Sequence, residues 1–137
     1  MTLQVTSELF DALLAQAEAA HPRECCGLLF GSAEQARIDA LEPAANVHPQ
    51  PETHFEIDPQ VLIDAHRAAR SGGPELVGYY HSHPHGKPRP SATDAAMAAR
   101  DGMVWAIAGD GVGSGTVAFW RAGESGFSAL PYRLISR

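Results

Sequence analysis

Apolar residues recur at the spacing of an α-helix in two parts of the chain, and a third helix is predicted after a proline-rich loop. In the first, Phe10, Leu13 and Ala17 would share one face of a helix, with Ser7 at the N-cap position. In the second, Pro59 takes the first helical position, where its missing N–H breaks no hydrogen bond. The helices are predicted over residues 7–20, 59–70 and 91–100.

Between the helices, the pattern changes to short apolar or alternating runs bounded by glycine and proline, which is typical of strands. The run at 25–30 is apolar throughout, so we predict that this strand is buried. The strands are predicted over 25–30, 37–41, 54–57, 75–80, 103–108, 116–121 and 127–134. Loops are predicted at 46–53 and 81–90, with a glycine-rich flexible turn at 109–115.

The resulting order of elements is α, β, β, β, α, β, α, β, β, β. Late strands joined by short glycine-rich turns favour antiparallel pairing. We therefore predict an α/β fold in the broad sense, in which a mixed, largely antiparallel sheet is flanked by helices and residues 1–137 form a single domain.

Composition and charge narrow the class of protein. Of the 137 residues, 45% are apolar and 19% are charged, an ordinary mix for one globular domain. The net charge of −6 argues against binding to nucleic acid or to an anionic membrane surface. No apolar stretch approaches the roughly 20 residues that span a bilayer, and the N-terminus does not have the pattern of a signal peptide. We expect a soluble, cytoplasmic protein, and the oligomeric state is left open.

The two cysteines, Cys25 and Cys26, are neighbours in a predicted strand. Adjacent residues of a strand point to opposite faces, so a disulfide between them would need unusual backbone geometry. We predict free thiols in a reducing compartment.

The segment from His81 to Asp94 carries the clearest indication of chemistry. His81 and His83 are two residues apart at the end of a predicted strand, where residues i and i+2 project to the same side. Asp94, in the first turn of the next helix, can bring a carboxylate to the same point. Two His ligands and one carboxylate with an open fourth position are typical of catalytic zinc, and that position would hold a water whose pKa falls to about 7.

Each of these residues also has a plain structural interpretation. Ser91 and Asp94 are spaced as a helix capping box, which is compatible with a ligand role because capping would fix the carboxylate. A His-x-His sequence in a loop is usually solvated, and Glu24, at the entry to the apolar strand, could be an ordinary surface carboxylate. It is the joint spacing of the residues that favours function.

Other residues are left with two interpretations each. His85 is either a spare ligand or a solvated loop residue. Cys26 either lines the site or packs as a small core residue. Asn46 and Phe55 either touch substrate or serve turn geometry and core packing.

The joint pattern resembles one family. Glu24, the His-Ser-His sequence at 81–83, Ser91 and Asp94 together resemble the JAMM motif of the JAB1/MPN/Mov34 metalloproteases. The stretch 22–31 (PRECCGLLFG) resembles the opening strand of the bacterial members. The resemblance covers nearly the whole chain and implies an MPN/cytidine-deaminase-like architecture.

The resemblance also implies a role for each motif residue. His81, His83 and Asp94 would bind zinc, and Glu24 would be the general acid/base. Ser91 would help to stabilise the tetrahedral oxyanion, because a donor aimed at charge that develops in the transition state speeds the reaction.

A substrate follows from the same resemblance. The family cleaves peptide or isopeptide bonds after the C-terminal tails of ubiquitin and ubiquitin-like proteins. The short segments between the motif residues resemble the minimal prokaryotic form, which is linked to sulfur-carrier proteins ending in Gly-Gly. An extended tail could bind by adding a strand at an exposed sheet edge. Two alternatives stay open, namely a non-catalytic MPN-type binding or scaffold module and a zinc amidase acting on a small-molecule amide.

Overall fold

The computed structural model describes residues 1–110 and 116–136. All eight strands of these residues belong to one central sheet. The helices are α1 (Ser7–Ala20), α2 (Pro59–Arg70) and α3 (Ala92–Met97). The strands are β1 (Leu3–Thr6), β2 (Cys26–Ser32), β3 (Arg37–Ala44), β4 (Glu75–Ser82), β5 (Val104–Ala108), β6 (Val117–Gly123), β7 (Gly126–Leu130) and β8 (Tyr132–Ile135). Their order across the sheet is β7-β6-β5-β4-β2-β3-β1-β8, which confirms the predicted mixed α/β class.

Successive residues of the central strand β2 point to opposite faces of the sheet and build two apolar cores. Leu29 belongs to the core that contains Leu13 of α1 and Tyr80 of β4. Leu28 belongs to the other core, which contains Ala65 of α2. Since full burial of an aliphatic side chain stabilises a fold by roughly 1.5–3 kcal/mol, these two cores hold β2 and β4 firmly between the helices.

The pairing of β2 with β4 determines where chemistry can occur. The two strands are antiparallel, with Cys26 at the start of β2 opposite His81 near the end of β4. On its other side β4 pairs in parallel with β5, so closely that a Cβ at Gly78 would overlap the carbonyl oxygen of Val104. The first residues of β2 and the last residues of β4 therefore lie side by side at the same end of these two central strands.

The helix predictions need two corrections. Both α1 and α2 have the predicted bounds, but the N-cap of α1 is Thr6, whose hydroxyl accepts the N–H of Leu9 at 3.3 Å. Ser7 is already helical because β1 leads directly into α1. The third helix ends at Met97, because Ala98 is already extended with a ψ of 137°, and the chain then continues toward β5 through Arg100, which has a left-handed φ of 56°.

The strand predictions are wrong in two places. Residues 54–57 form no strand, because only Ile57 makes a bridge, to Asn46. The predicted strand at 127–134 is two strands, β7 and β8, separated by Pro131. The antiparallel pairing predicted for the late strands is confirmed for β5 with β6 and for β6 with β7.

Three further differences concern strand length and coverage. The pattern does not predict β1, whose four residues are too few for an alternation to stand out. Strand β3 continues past Pro43. Proline is tolerated there because β1 pairs with β3 only at Arg37 and Ile38, and no other strand of the described residues pairs along the rest of that edge. Most of the predicted turn at 109–115 lies outside the described residues.

No helix in the described parts of the chain is both long enough and apolar enough to cross a membrane.

Candidate metal centre

His81 and His83 lie at the C-terminal end of β4. Strand β4 continues through Ser82, two residues further than predicted, so His81 lies within the central sheet and is fully buried. His83 follows directly after the strand and projects to the same side. The two Nε2 atoms are 3.1 Å apart.

Asp94 is brought to these histidines by the start of α3. Its Oδ2 lies 3.1 Å from the Nε2 of His81 and 3.1 Å from the Nε2 of His83. The same oxygen accepts the backbone N–H of Ser91, while the Ser91 hydroxyl accepts the N–H of Asp94, each at 3.0 Å. The capping box predicted as an alternative is therefore present, and it aims the carboxylate at the imidazoles.

The three donor atoms have the separation that a tetrahedral metal requires. Bonds of roughly 2.0–2.1 Å at tetrahedral angles place donors about 3.3 Å apart. Here all three distances between His81 Nε2, His83 Nε2 and Asp94 Oδ2 are 3.1 Å. Within residues 1–110 and 116–136, these side chains form the one group of three potential metal ligands whose donor atoms converge. The donor set fits zinc in type as well as in spacing.

Electrostatics favour the metal-binding protonation states of His81 and Asp94 but not that of His83. Burial lowers the pKa of His81, which favours the neutral imidazole. Burial of Asp94 opposes its ionisation, but the hydrogen bonds from His81 and His83 outweigh this and hold the pKa of the carboxyl well below its usual range. A neutral imidazole and a carboxylate are the species that coordinate zinc. Burial lowers the pKa of His83, but its hydrogen bond to Asp94 outweighs this and raises the pKa, so a metal has to displace a proton there.

The histidine rings are oriented in two different ways. The Nδ1 of His83 lies 2.9 Å from the carbonyl oxygen of Lys87, so in the neutral imidazole Nδ1 carries the proton and Nε2 has the lone pair that a metal needs. The Nδ1 of His81 is buried and has no hydrogen-bond partner among the described residues. Packing holds this ring instead, because Phe55 stacks on it at a centroid distance of 4.2 Å and Trp105 meets it edge-on at 5.5 Å.

Glu24 lies two residues before β2, and continuing the register that pairs Cys26 with His81 brings it opposite His83. Its neighbour Cys25 donates its N–H to the Ser82 hydroxyl at 2.8 Å, and Ser82 returns its own N–H to the Cys25 carbonyl at 3.1 Å. These bonds extend the pairing of β2 with β4 and bring the Glu24 backbone alongside the ligand-bearing strand. Glu24 as a whole residue is only 7% exposed.

The carboxyl of Glu24 is tuned to neutral pH. Burial raises its pKa to about 7, against a smaller lowering by His83 and with a further small increase from Asp94. A group whose pKa lies near the working pH is suited to both taking and giving a proton.

We expect Glu24→Gln to stabilise the metal-free protein at pH 8 but not at pH 5. The pKa of about 7 in the folded chain exceeds the ordinary 4.5, so the stability from the protonated carboxyl is full below pH 4.5 and is lost as pH rises through 7. Glutamine avoids this loss, which should raise the free energy of unfolding at pH 8 by roughly 1–2 kcal/mol after allowance for solvent screening. Urea unfolding of chelated protein at both pH values measures the difference. Equal stabilities at pH 8 would show that the carboxyl is well solvated.

Two cavities flank the centre. One of about 340 Å³ reaches Asp94 and is lined mainly by apolar side chains, including Phe55, Leu62, Met97 and Trp105. The other, of about 560 Å³, lies on the Glu24 side between the end of α1 and the end of β3. A chain that crossed the metal centre would have room on both sides.

The remaining predicted residues are placed as follows. Ser91 is exposed at the rim of the centre, where it caps α3. His85 is exposed and packs against His21 at 5.2 Å, away from the ligand cluster. Cys26 is buried in the apolar core, with its thiol 3.7 Å from the Ala44 carbonyl oxygen, and it also lines the cavity on the Glu24 side. Both cysteines are free.

Sequence reasoning missed the contacts that support the site. The stacking of Phe55 on His81 has no local signal, because the two residues are 26 positions apart. The Ser82 hydroxyl is signalled only by its place between two ligand histidines. Asn46 had two open interpretations, and the structure gives it hydrogen bonds to Glu24 and to three residues of the loop 46–57.

Comparison with known proteins gives consistent matches. The model of a family described as prokaryotic homologs of the JAB domain matches residues 6–123. The chain is 35% identical over 109 residues to a desampylase of Haloferax volcanii, a match covering 77% of this chain and 78% of the relative. It is 36% identical over 94 residues to a probable TtuB-protein conjugate cleaving protease of Thermus thermophilus, covering 69% of this chain and 62% of the relative. A JAB1/MPN domain protein from Archaeoglobus fulgidus shares the fold, with a TM-score of 0.64, 22% identity and coverage of 95% of this chain and 98% of that one.

Proposed function

This chain belongs to the family of prokaryotic homologs of the JAB domain, and we propose that it is a zinc-dependent peptidase or isopeptidase acting at the C-terminal Gly-Gly tail of a ubiquitin-like or sulfur-carrier protein. The observation that carries the proposal is the convergence of three ligand atoms beside a buried carboxyl with a pKa of about 7. The proposed site of action is the cytoplasm, as the sequence predicts.

In this proposal, His81, His83 and Asp94 hold the zinc ion. When bound, zinc supplies Lewis-acid polarisation of the scissile carbonyl and lowers the pKa of water at the site. The protein's own contribution is to fix the three donors before the ion arrives, through the central strand β4, the Lys87 carbonyl and the capping box of α3.

Glu24 is the proposed general acid/base. Its buried carboxylate takes a proton from the attacking water and then delivers that proton to the leaving amine. A pKa of about 7 allows the same group to serve in both directions at neutral pH.

Ser91 is the proposed oxyanion donor. Its hydroxyl oxygen already accepts the Asp94 N–H, so its own O–H remains the group to offer. Ser91 is exposed at the mouth of the centre, where a substrate carbonyl would approach.

The relatives and the sheet edge together support a protein tail as substrate. One relative is named a desampylase, and the name of another describes cleavage of protein conjugates. Beyond Ile38, the outer edge of β3 carries no second strand among the described residues, and the cavity on the Glu24 side includes Pro43 and Ala44 of that edge. An extended Gly-Gly tail could add there as a strand and lead into the centre.

The test is cleavage of a Gly-Gly carrier protein that is extended at its C-terminus by a peptide, or joined through its tail to a lysine. Mass spectrometry after incubation with zinc-loaded protein should show a carrier that has been cleaved directly after Gly-Gly. Faster turnover of a small amide than of any carrier would favour the amidase alternative. Zinc binding without turnover, together with a stable complex, would favour the scaffold alternative.

A further inference from the structure

A single side chain, that of Asn46, connects Glu24 to the loop 46–57. Its Nδ2 donates to the Glu24 carbonyl at 3.1 Å and to the His54 carbonyl at 2.9 Å. Its Oδ1 accepts the N–H of His48 at 3.1 Å and the N–H of Glu56 at 3.0 Å. A primary amide has two N–H donors and two acceptor lone pairs, so this one is used to its full capacity.

These bonds matter because the backbone of Glu24 makes no ladder hydrogen bonds to β3. The first pair of the β2–β3 ladder is Cys26 with Ala44, which leaves the peptide of Glu24 outside it. On this side, the loop supplies the missing partners, because Pro51 accepts the Glu24 N–H at 2.7 Å and Asn46 donates to the Glu24 carbonyl. The direction in which the carboxyl leaves the backbone therefore depends on the loop.

The same amide also sets the loop against the ligand cluster. His54 and Glu56, two of its partners, flank Phe55 on both sides. Phe55 stacks on His81, the ligand whose Nδ1 has no hydrogen-bond partner among the described residues. The side chain of Asn46 therefore contacts both the backbone of Glu24, the proposed proton-transfer residue, and the loop that carries Phe55, which packs on His81.

We propose that Asn46 is a positioning residue, which holds the Glu24 carboxyl in register with the His81, His83 and Asp94 cluster through the Glu24 carbonyl and the Phe55 loop. The proposal rests on the proposed function. Asn46 acts through these neighbours. Its Nδ2 donates to the Glu24 and His54 carbonyls, whereas its Oδ1 accepts only from the amides of His48 and Glu56, so the bonds of the two atoms can be separated by mutation.

The separating variant is Asn46→Asp. Aspartate keeps the shape and an oxygen for the amides of His48 and Glu56, but it loses both N–H donors to the carbonyls of Glu24 and His54. Because a displacement of about 1 Å at a reacting group can cost about 100-fold in rate, we expect kcat for carrier cleavage to fall roughly 10- to 100-fold, with KM within about threefold of wild type. Zinc stoichiometry should not change.

Asn46→Ala and Thr53→Ala complete the set. The alanine variant at 46 removes all four bonds without adding charge, so kcat should fall at least as far and the amides of His48 and Glu56 should exchange hydrogen faster. In Asn46→Asp those two amides should keep wild-type exchange. Thr53→Ala removes a bond to His54 within the same loop, from the hydroxyl to Nδ1 at 2.7 Å, and should keep wild-type kcat.

Crystal structures of wild type and Asn46→Asp give a readout that does not depend on turnover. We expect the Glu24 carboxyl to move by at least about 0.5 Å relative to Asp94, against the 0.5 Å tolerance typical of catalytic groups. If the Glu24 carboxyl did not move, Asn46 would only stabilise the loop. The same conclusion would follow if kcat stayed at the wild-type value in Asn46→Asp and fell only in Asn46→Ala. A wild-type protein that cleaves no carrier would instead overturn the proposed function, and the structural comparison would still decide the role of Asn46.

Discussion

Replacing Glu24 with glutamine is expected to lower kcat for carrier cleavage by about 1,000-fold while zinc stays bound, because general acid–base catalysis typically contributes a factor of roughly 100 to 10,000. Glutamine keeps the size of the side chain and can neither take nor release the proton. Initial rates, measured alongside zinc content by elemental analysis, test this expectation.

Glu34→Gln is the matched control, since Glu34 lies in the turn between β2 and β3, lines neither cavity and is exposed. It should retain wild-type kcat. If Glu24→Gln cleaved the carrier at the wild-type rate, Glu24 would have no role in proton transfer, and another base would have to be sought among the groups that line the two cavities.

The second large effect is expected from Asp94→Asn, which should reduce zinc from about one ion per chain to less than about 0.1 and abolish cleavage, because a catalytic zinc needs three protein ligands of suitable charge. Asparagine is chosen since its side-chain oxygen can still accept the Ser91 N–H and so preserve much of the cap of α3. Zinc content after dialysis against trace zinc measures the change.

Asp64→Asn provides the control for this variant. Asp64 lies on the exposed side of α2, where it accepts a hydrogen bond from Gln60, and its replacement should leave zinc content at the wild-type value. Full zinc occupancy in Asp94→Asn would remove Asp94 from the ligand set, and absence of zinc from wild type, even when zinc is supplied, would move the scaffold alternative to the front.

The convergence of His81, His83 and Asp94 could be predicted from sequence because the geometry of this candidate ligand cluster is mostly local. The projection of His81 and His83 to one side follows from the period of an extended chain. The return of Asp94 follows from its place in the first turn of a capped helix. The fold class was predictable for a similar reason, since α1, α2 and the central strands have clear periodic patterns.

The support of the site could not be predicted, because it depends on contacts between distant parts of the chain. Asn46 reaches Glu24 across 22 positions, and Phe55 reaches His81 across 26. The segment 54–57 alternates like a strand, yet its residues are held by the side chain of Asn46 and by packing on His81. Tertiary contacts of this kind override local patterns.

The shared oxygen of Asp94 has a consequence for how long an ion would stay. Asp94 is the one buried residue of the six-residue helix α3, whereas His81 is fully buried near the end of the central strand β4. A helix this short has little stability of its own, and its first turn is held by the very carboxylate that meets the histidines. Fraying of α3 and release of the ion would therefore be a single event, and the residence time of the metal would be set by the lifetime of one helical turn while the sheet remains intact.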